Sequence, residues 1–329
     1  MAGTYLNFPF DEDVFLYMWR QYKDPVLTAF LDSGAMVEDA TIAGLVANGS
    51  DQYSMPFYSV LADTAPVNYN GATDIATEAT AGVSETGIVF GRAKGWEERQ
   101  FVRDFNSGAD PMASIVAQVG RYWAHQRQNL LLGIVGGVMG VSAISSHVVN
   151  RTAVPTATDF GDAAQEALGD NASLLTLAVM HSKVAQQLAD LQLLQFRKYT
   201  DPLGIERQLP IADMNGMTVV VDDAMPHTAA AGETPATYTS YLFAPGAIRH
   251  ASAPVEVPVE LARDAATNGG MNMLYTRVRE TIHPEGFSYS KPTSGYTQSP
   301  TDAQLTASAR WSLVANPKNV GIVSITTQG

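Results

Sequence analysis

The pattern of apolar and polar positions changes character several times along the chain. Residues 11–30 are dense in aromatics (Phe15, Tyr17, Trp19, Tyr22, Phe30), and Pro25 breaks any single helix there. Aromatics in such a segment need a surface to pack on, either the chain's own core or a neighbour. MPFYSVL follows at 55–61 and reads as a short strand, with Pro56 suited to a sheet edge. Residues 64–88 are then polar and rich in Thr, Ala and Gly, with little that could form a core. Strand-like apolar positions return at Val89, Phe90, Trp96, Phe101 and Val102. The pattern predicts a long two-stranded excursion over 51–104. An isolated ribbon is marginal in water, so its support must come from another surface.

A helical period follows. Asp110 and Pro111 form a helix start, the first as a cap and the second in the first turn. Met112, Ile115, Val116, Val119, Tyr122 and Trp123 recur at helical spacing, with Arg121, His125 and Gln128 off that face. The helix is predicted to reach Met139, a length of roughly 40 Å at 1.5 Å per residue. No Lys, Arg, Asp or Glu occurs from Gln128 to Asn150. Gln128, Asn129, Ser142, Ser145, Ser146 and His147 nevertheless interrupt this stretch, leaving it short of the ~20 apolar residues of a membrane span. It reads as a buried helix of a soluble protein. Gly133, Gly136, Gly137 and Gly140 would let another element approach closely.

From about 150 the pattern is mixed α/β. Residues 174–180 form a continuous apolar run, as in a strand buried on both faces. Ser182 can cap a helix carrying Val184, Leu188 and Leu191. Strands are predicted at 217–221, 238–243 and 271–282, the last with Arg277 and Arg279 on the face away from Val278. Residues 255–259, with Pro258, read as an edge or a linker. A helix is predicted to start at Ser299 and Pro300, carrying Leu305, Ala309 and Leu313 and ending at Asn316 and Pro317. A final strand covers 320–325. No internal repeat and no low-complexity tail are evident.

Composition narrows the picture. The chain has 329 residues, 46% of them hydrophobic, and a net charge of −13. Holding nucleic acid by neutralising phosphates needs clustered Lys and Arg, and no basic run is present. The acidic balance suits enclosure of nucleic acid better than binding, and it suits plain solubility equally well. With no cysteine, disulfides, thiolate metal sites and cysteine nucleophiles are excluded, in keeping with a reducing cytoplasm. The first fifteen residues lack the basic start and apolar stretch of a signal peptide.

Candidate chemistry is thin. His181, Ser182 and Lys183 stand in a row, but no G-x-S-x-G elbow surrounds them; Ser182 as a helix cap is the simpler reading. Asp222 and Asp223 follow a buried strand, where α/β sheets often place ligands, and two carboxylates could take a hard cation. Ala224, Met225 and Pro226 add no oxygen-donor side chain, so an aspartate-stabilised turn is favoured. The six histidines are scattered, without zinc-ligand spacing.

One ordered series of segments carries more information than any of these. It comprises LGDNASLLTLAVMHSKVAQQL at 168–188, VVVDDAMP at 219–226, YLFAPGAI at 241–248, VPVELARDAATNGGMNMLYTRVRETIHPEGFSYS at 257–290 and SPTDAQLTASARWSLVANPKNVGIVSITT at 299–327. In this order they resemble the major capsid proteins of tailed bacteriophages, the Hong Kong 97-like fold. More loosely, residues 33–61 are similar to the arm and loop start of these proteins, and 109–137 to their long spine helix.

The resemblance implies an α+β fold in four parts: an N-terminal arm (1–50), an extended loop (51–104), a peripheral domain with the spine helix (105–150) and further strands (255–298), and an axial α/β domain (151–254 and 299–329). It implies a shell subunit that self-associates into the pentamers and hexamers of an icosahedral head around double-stranded DNA, without sequence-specific binding. The expected location is the virion, after assembly in the host bacterial cytoplasm. No enzyme activity, cofactor, metal or membrane is implied. With the loop starting near residue 51 there is no room for a fused scaffolding domain, so a separate scaffolding partner is expected, together with a portal and in some relatives a decoration protein. Some members cross-link through a loop lysine, and Lys94 is the only lysine between 51 and 104. Contacts between subunits are expected at Phe15, Trp19, Phe90, Arg92, Lys94, Trp96, Glu97, Glu98, Arg99, Phe101 and Arg103, where aromatics anchor and mixed charges set register. Two alternatives stay open: an encapsulin-type compartment shell on the same fold, and a soluble α/β enzyme using a pocket near Asp222.

Overall fold

The computed structural model describes residues 3–5, 8–10, 34–58, 64–75, 77, 80, 82–99, 111–156, 158–200, 206–214, 216–231, 235–295 and 297–329. The strands are β1 Gly3–Tyr5, β2 Phe8–Phe10, β3 Met36–Glu38, β4 Gln52–Tyr58, β5 Gly82–Ile88, β6 Phe90–Arg99, β7 Val148–Asn150, β8 Leu177–Met180, β9 Gln195–Thr200, β10 Glu206–Met214, β11 Met217–Val221, β12 His227–Thr228, β13 Thr237–Phe243, β14 Ile248–Ala253, β15 Val259–Asp264, β16 Met271–Pro284, β17 Phe287–Tyr289, β18 Trp311–Leu313 and β19 Ile322–Gln328. The helices are α1 Ala40–Val46, α2 Pro111–Met139, α3 Asp159–Leu168, α4 Ser182–Asp190 and α5 Asp302–Leu305.

Two sheets organise the chain. The larger has eight strands in the order β7-β19-β13-β8-β11-β10-β9, with β12 beside β13. It is mixed: β8–β11 and β7–β19 are parallel, and the other pairs are antiparallel. Its central strand β8 is buried at all four positions, as a strand covered on both faces must be. Leu177 and Val179 join one core with Leu131, Val135 and Val138 of α2. Ala178 and Met180 join the other with Phe160 and Ala164 of α3 and Val184 and Leu188 of α4. The same alternation recurs in β13, where Tyr241 and Phe243 face α2 and Leu242 faces α3 and α4.

The second sheet is built on β16, the longest strand. Along one edge β6 pairs with Met271 through Glu280. Along the other, β15 pairs with Met271 through Thr276 and β14 with Arg279 through Pro284. Strand β3 adds to β14 in parallel. The first half of α2 lies on this sheet through Val119 and Trp123 against Val259 and Leu274. The 29-residue helix therefore spans both sheets, its second half contributing to the core that they share. No helix among the described residues is long and apolar enough to cross a membrane.

Several expectations need correction. The ribbon pairs β4 with β5, so its second strand is the polar GVSETGI segment; β6 leaves the ribbon and joins the second sheet. The buried strand begins at Leu177, after a 3₁₀ turn over Gly169–Leu174. Helix α4 is capped by His181, whose Nδ1 accepts from Lys183 N, and Leu191 beyond its end is exposed. Gln128, expected on the polar face of α2, is buried and donates to Asp222. The helix predicted over 299–316 is a single turn, α5, closed by a Thr301/Gln304 capping box. Leu313 lies in β18 instead. Asp110 lies outside the described residues.

The glycines of α2 do admit a close neighbour. A Cβ on Gly137 would sit 2.3 Å from the Thr306 carbonyl oxygen, and one on Gly140 would sit 2.9 Å from Ser308 Cβ. The segment that follows α5 is thus pressed onto the helix backbone. Gly136 faces the Tyr241 hydroxyl of β13 in the same way, at 3.2 Å.

Candidate assembly surfaces

Strands β4 and β5 run antiparallel from Gln52 opposite Ile88 to Tyr58 opposite Gly82. The base of this ribbon is fixed to the rest of the chain. Tyr53 is buried and its hydroxyl lies 3.0 Å from Thr281 Oγ1, while Thr281 donates to Ile88 O at 2.8 Å. Burial pushes the Tyr53 pKa up to about 12. Gly87 makes room for the ring: a Cβ there would lie 2.1 Å from Tyr53 Cζ. Glu85 is buried, accepts from Gly286 N at 2.9 Å and lies 3.4 Å from His283 Nε2. Thr86 N donates to Ser288 Oγ at 3.0 Å. The far end of the ribbon differs. Residues 64–75 are exposed throughout, and Tyr58, Tyr69 and Ile75 are 79%, 89% and 71% exposed.

The predicted contact residues divide into four groups. Phe90 is 1% exposed in the central core, and Glu98 is also buried. Trp96 packs edge-on to Tyr122, ring centroids 5.4 Å apart, against the first half of α2. Phe90 and Glu98 are corrections: their side chains are buried within the chain, because β6 is a sheet strand and not part of the ribbon, whereas Trp96 stays partly exposed. Arg92 is half-committed, with its guanidinium 2.6 Å from Asp302 of α5 and over the Phe90 ring. Lys94, Glu97 and Arg99 are exposed. Phe15, Trp19, Phe101 and Arg103 lie outside the described residues. The exposed apolar tip was missed by sequence reasoning; its only signal was a few large side chains, Tyr69 and Ile75, isolated in a polar run.

Polar junctions also hold α2 to the sheets, among them the Trp123 Nε1–H bond to Thr276 Oγ1 at 3.0 Å. On the second sheet, Glu280 is 5% exposed and receives Arg127 of α2 at 2.6 Å and His250 of β14 at 3.2 Å. Burial alone would raise the Glu280 pKa. The His250 hydrogen bond and the Arg127 charge outweigh it and hold the carboxyl below the ordinary glutamate value. On the first sheet, Gln128 reaches Asp222 at the end of β11. Past the helix, buried His147 bonds Ile322 O at 2.8 Å through Nδ1, and burial pushes its pKa down.

The residues considered for chemistry have structural partners. Asp222 Oδ1 accepts from Ala224 N at 2.9 Å, closing the turn after β11. Asp223 is held below the ordinary carboxylate range chiefly by hydrogen bonding from Ser182. Ser182 Oγ stands 3.5 Å from His181 Nδ1, a nitrogen already engaged by Lys183 N at 3.1 Å. Among the described residues no group of three His, Cys, Asp or Glu could hold a metal ion.

The arrangement of a ribbon, a long helix and two sheets has counterparts among solved phage capsids. The chain is similar to a subunit of the cyanophage Pam1 capsid, with a TM-score of 0.58 at 12% identity over 87% of each chain. It is similar to the capsid of the Helicobacter pylori bacteriophage KHP30, with a TM-score of 0.56 at 10% identity over 94% of this chain and 92% of that one. These likenesses establish the tailed-phage capsid fold, of the Hong Kong 97 type and α+β in class. In sequence, the chain is 29% identical to the major capsid protein of Bacillus phage SPP1 over 303 residues, 90% of each protein. The family model of major capsid protein 13-like (Gp13-like) proteins matches residues 57–321, and the chain belongs to that family. Its members are structural capsid proteins, so the enzyme and encapsulin alternatives are not favoured.

Proposed function

We propose that, in the icosahedral head built by this tailed-phage major capsid protein, the β4–β5 ribbon lies on a neighbouring copy. The observation that carries the assembly role of the ribbon is its asymmetry. The base is bonded to β16 and β17, while the tip presents Tyr58, Tyr69 and Ile75 to solvent. Large side chains left this exposed at the end of a ribbon are available to anchor a neighbouring copy. Exposed Lys94, Glu97 and Arg99 of β6 then set register against the neighbour. In this reading 1–50 is the arm, 51–88 of the expected 51–104 segment is the extended loop, 105–150 with 255–298 and strand β6 is the peripheral domain, and 151–254 with 299–329 is the axial domain.

Pentamers and hexamers are the expected intermediates, assembled in the host cytoplasm with a separate scaffolding protein, a portal and, where present, a decoration protein. The absence of a basic run in the sequence supports enclosure of DNA without specific binding. The test is electron microscopy of the purified chain, alone and co-expressed with its neighbouring head genes. Closed particles of uniform diameter are expected; a chain that stays monomeric or dimeric in both conditions overturns the reading. The ribbon is tested separately by replacing 67–75 with a Gly-Ser linker. An unchanged melt with no shells is expected, and normal shells would remove the ribbon tip from the interface.

A further inference from the structure

The chain contains four Asn-Gly dipeptides: Asn48–Gly49, Asn70–Gly71, Asn215–Gly216 and Asn268–Gly269. Such a pair can react with itself. The glycine nitrogen attacks the asparagine side-chain carbonyl carbon, and the absence of a glycine side chain leaves that approach open. Two conditions govern the rate: the glycine N–H must be free to give up its proton, and the amide carbonyl must be polarised. The three described pairs differ on both.

At Asn70 both conditions are met. The Oδ1 atom accepts from Ala72 N and from Thr73 N, each at 2.9 Å. Two backbone donors at that distance are the arrangement that stabilises negative charge developing on a carbonyl oxygen. Gly71 N makes no hydrogen bond among the described residues, both residues are exposed, and the space where a Gly71 Cβ would stand is empty within 4 Å. At Asn48 the nucleophile is occupied, because Gly49 N donates to Val46 O at 3.1 Å. No donor engages the Asn48 side chain among the described residues. At Asn268 the side-chain nitrogen donates to Met271 Sδ at 3.2 Å, and the backbone is held at φ 52° within a 3₁₀ turn. Its carbonyl receives no backbone donor among the described residues.

We infer that Asn70, at the tip of the β4–β5 ribbon, is a self-modification site that converts to aspartate and isoaspartate faster than the other described Asn-Gly pairs. The Gly71 N–Cγ bond of Asn70 forms as the Cγ–Nδ2 bond breaks. The nitrogen leaves as ammonia, taking up the proton lost by Gly71 N, and a succinimide remains. Water then opens the ring at either carbonyl. Only water is consumed, and nothing is oxidised or reduced. The product adds one negative charge beside Tyr69 and, in the isoaspartyl form, lengthens the backbone by one atom at the tip.

The test is peptide mapping by mass spectrometry of the full-length purified chain during incubation at mildly alkaline pH and 37 °C. Asn70 is expected to deamidate several-fold faster than Asn48 and Asn268. Ala72→Pro and Thr73→Pro each delete one of the two N–H donors. Each is expected to slow the Asn70 reaction by about two- to tenfold, the worth of one exposed hydrogen bond, and to leave Asn48 and Asn268 unchanged. Because these positions are exposed, a melt equal to the parent shows that both variants are folded. Equal rates at the three asparagines, or an Asn70 rate unaffected by both prolines, overturns the inference.

Discussion

The eight-stranded sheet and the β4–β5 ribbon show two ways of holding strands in place. Sheet strand β8 is fixed by burial on both faces, with four apolar residues divided between two cores. Ribbon strand β5 is fixed at one end only, by Ile88 in the shared core and by polar contacts of the Glu85 carboxylate on Gly286 N and Thr86 N on Ser288, with Gly87 beneath the Tyr53 ring. Its other end leads to an exposed tip. The first arrangement specifies a subunit that folds on its own. The second specifies the direction of an arm while leaving its surface for something else. Apolar burial scales with area and tolerates no loss. A few hydrogen bonds orient a ribbon at a stability of about 1 kcal/mol each.

The comparison breaks hardest at the core. Phe243 of β13 is fully buried beside α2. Phe243→Ala is expected to cost about 3–5 kcal/mol, visible as a large drop in the melting temperature with loss of assembly as a consequence. A milder result would mean that the sheet core relaxes into the space.

The close approach of the 306–308 segment to α2 comes next. A methyl at Gly137 meets backbone atoms of Thr306, not a flexible side chain, so the segment must move. Gly137→Ala is expected to cost about 1–3 kcal/mol. Gly44→Ala in α1, where no atom lies within 4 Å of the added Cβ, is the control and is expected to be neutral or slightly stabilising. Denaturant melts of the two variants measure the difference.

Acid should loosen the His147 contact beyond α2 first and the Glu280 junction on α2 second. His147 has a folded pKa below its ordinary value of 6.5 because it is buried. An unfolded chain therefore takes up a proton there first, and the contribution of neutral His147, complete above 6.5, declines as pH falls below it. Glu280 also has a depressed folded pKa, its partners outweighing burial. Its contribution is complete above the ordinary glutamate value of 4.5 and is lost as pH falls through the lower folded value. Stability measured against pH should fall in two stages. The upper stage should vanish in a His147→Gln variant and the lower in a Glu280→Gln variant. A single stage, below 4.5, in the parent would show that His147 does not contribute.

Much of the sheet region was legible in the sequence, and the ribbon was not, for the same physical reason. The 174–180 run, the 217–221 and 238–243 strands and the α2 periodicity declare themselves because burial leaves an apolar pattern. Strand β5 offers a single core residue, Ile88, and is otherwise held by Glu85, Thr86 and Gly87, residues that no hydrophobic period marks, so the sequence pattern points to β6 as the second ribbon strand instead. Strand β6 in turn mixes Phe90 and Trp96 with charged residues, a pattern that does not reveal the sheet it joins. Phe90 and Glu98 are therefore expected at an interface while the fold buries them. The helix over 299–316 failed differently: its apolar spacing was right, but Thr306 and Ser308 are drawn onto the glycines of α2, and the capping box at Thr301 supports only one turn.

The smallest expected effect on the subunit is at the ribbon tip. Tyr69 and Ile75 are 89% and 71% exposed, so Tyr69→Ser with Ile75→Ser removes almost no buried area. Surface changes of this kind stay within about 0.5 kcal/mol, and the melting curve should overlay the parent's. Assembly is expected to respond in the opposite sense, because side chains this exposed on the subunit are the ones available to anchor a neighbour. Light scattering should show particle yield falling steeply for the double variant, and Glu85→Gln should keep most of it, since the other ribbon-base contacts remain. A double variant that assembles as well as the parent would move the contact from the tip to the exposed charges of β6. A double variant that melts early would place the tip in the subunit's own fold and erase the distinction between sheet and ribbon.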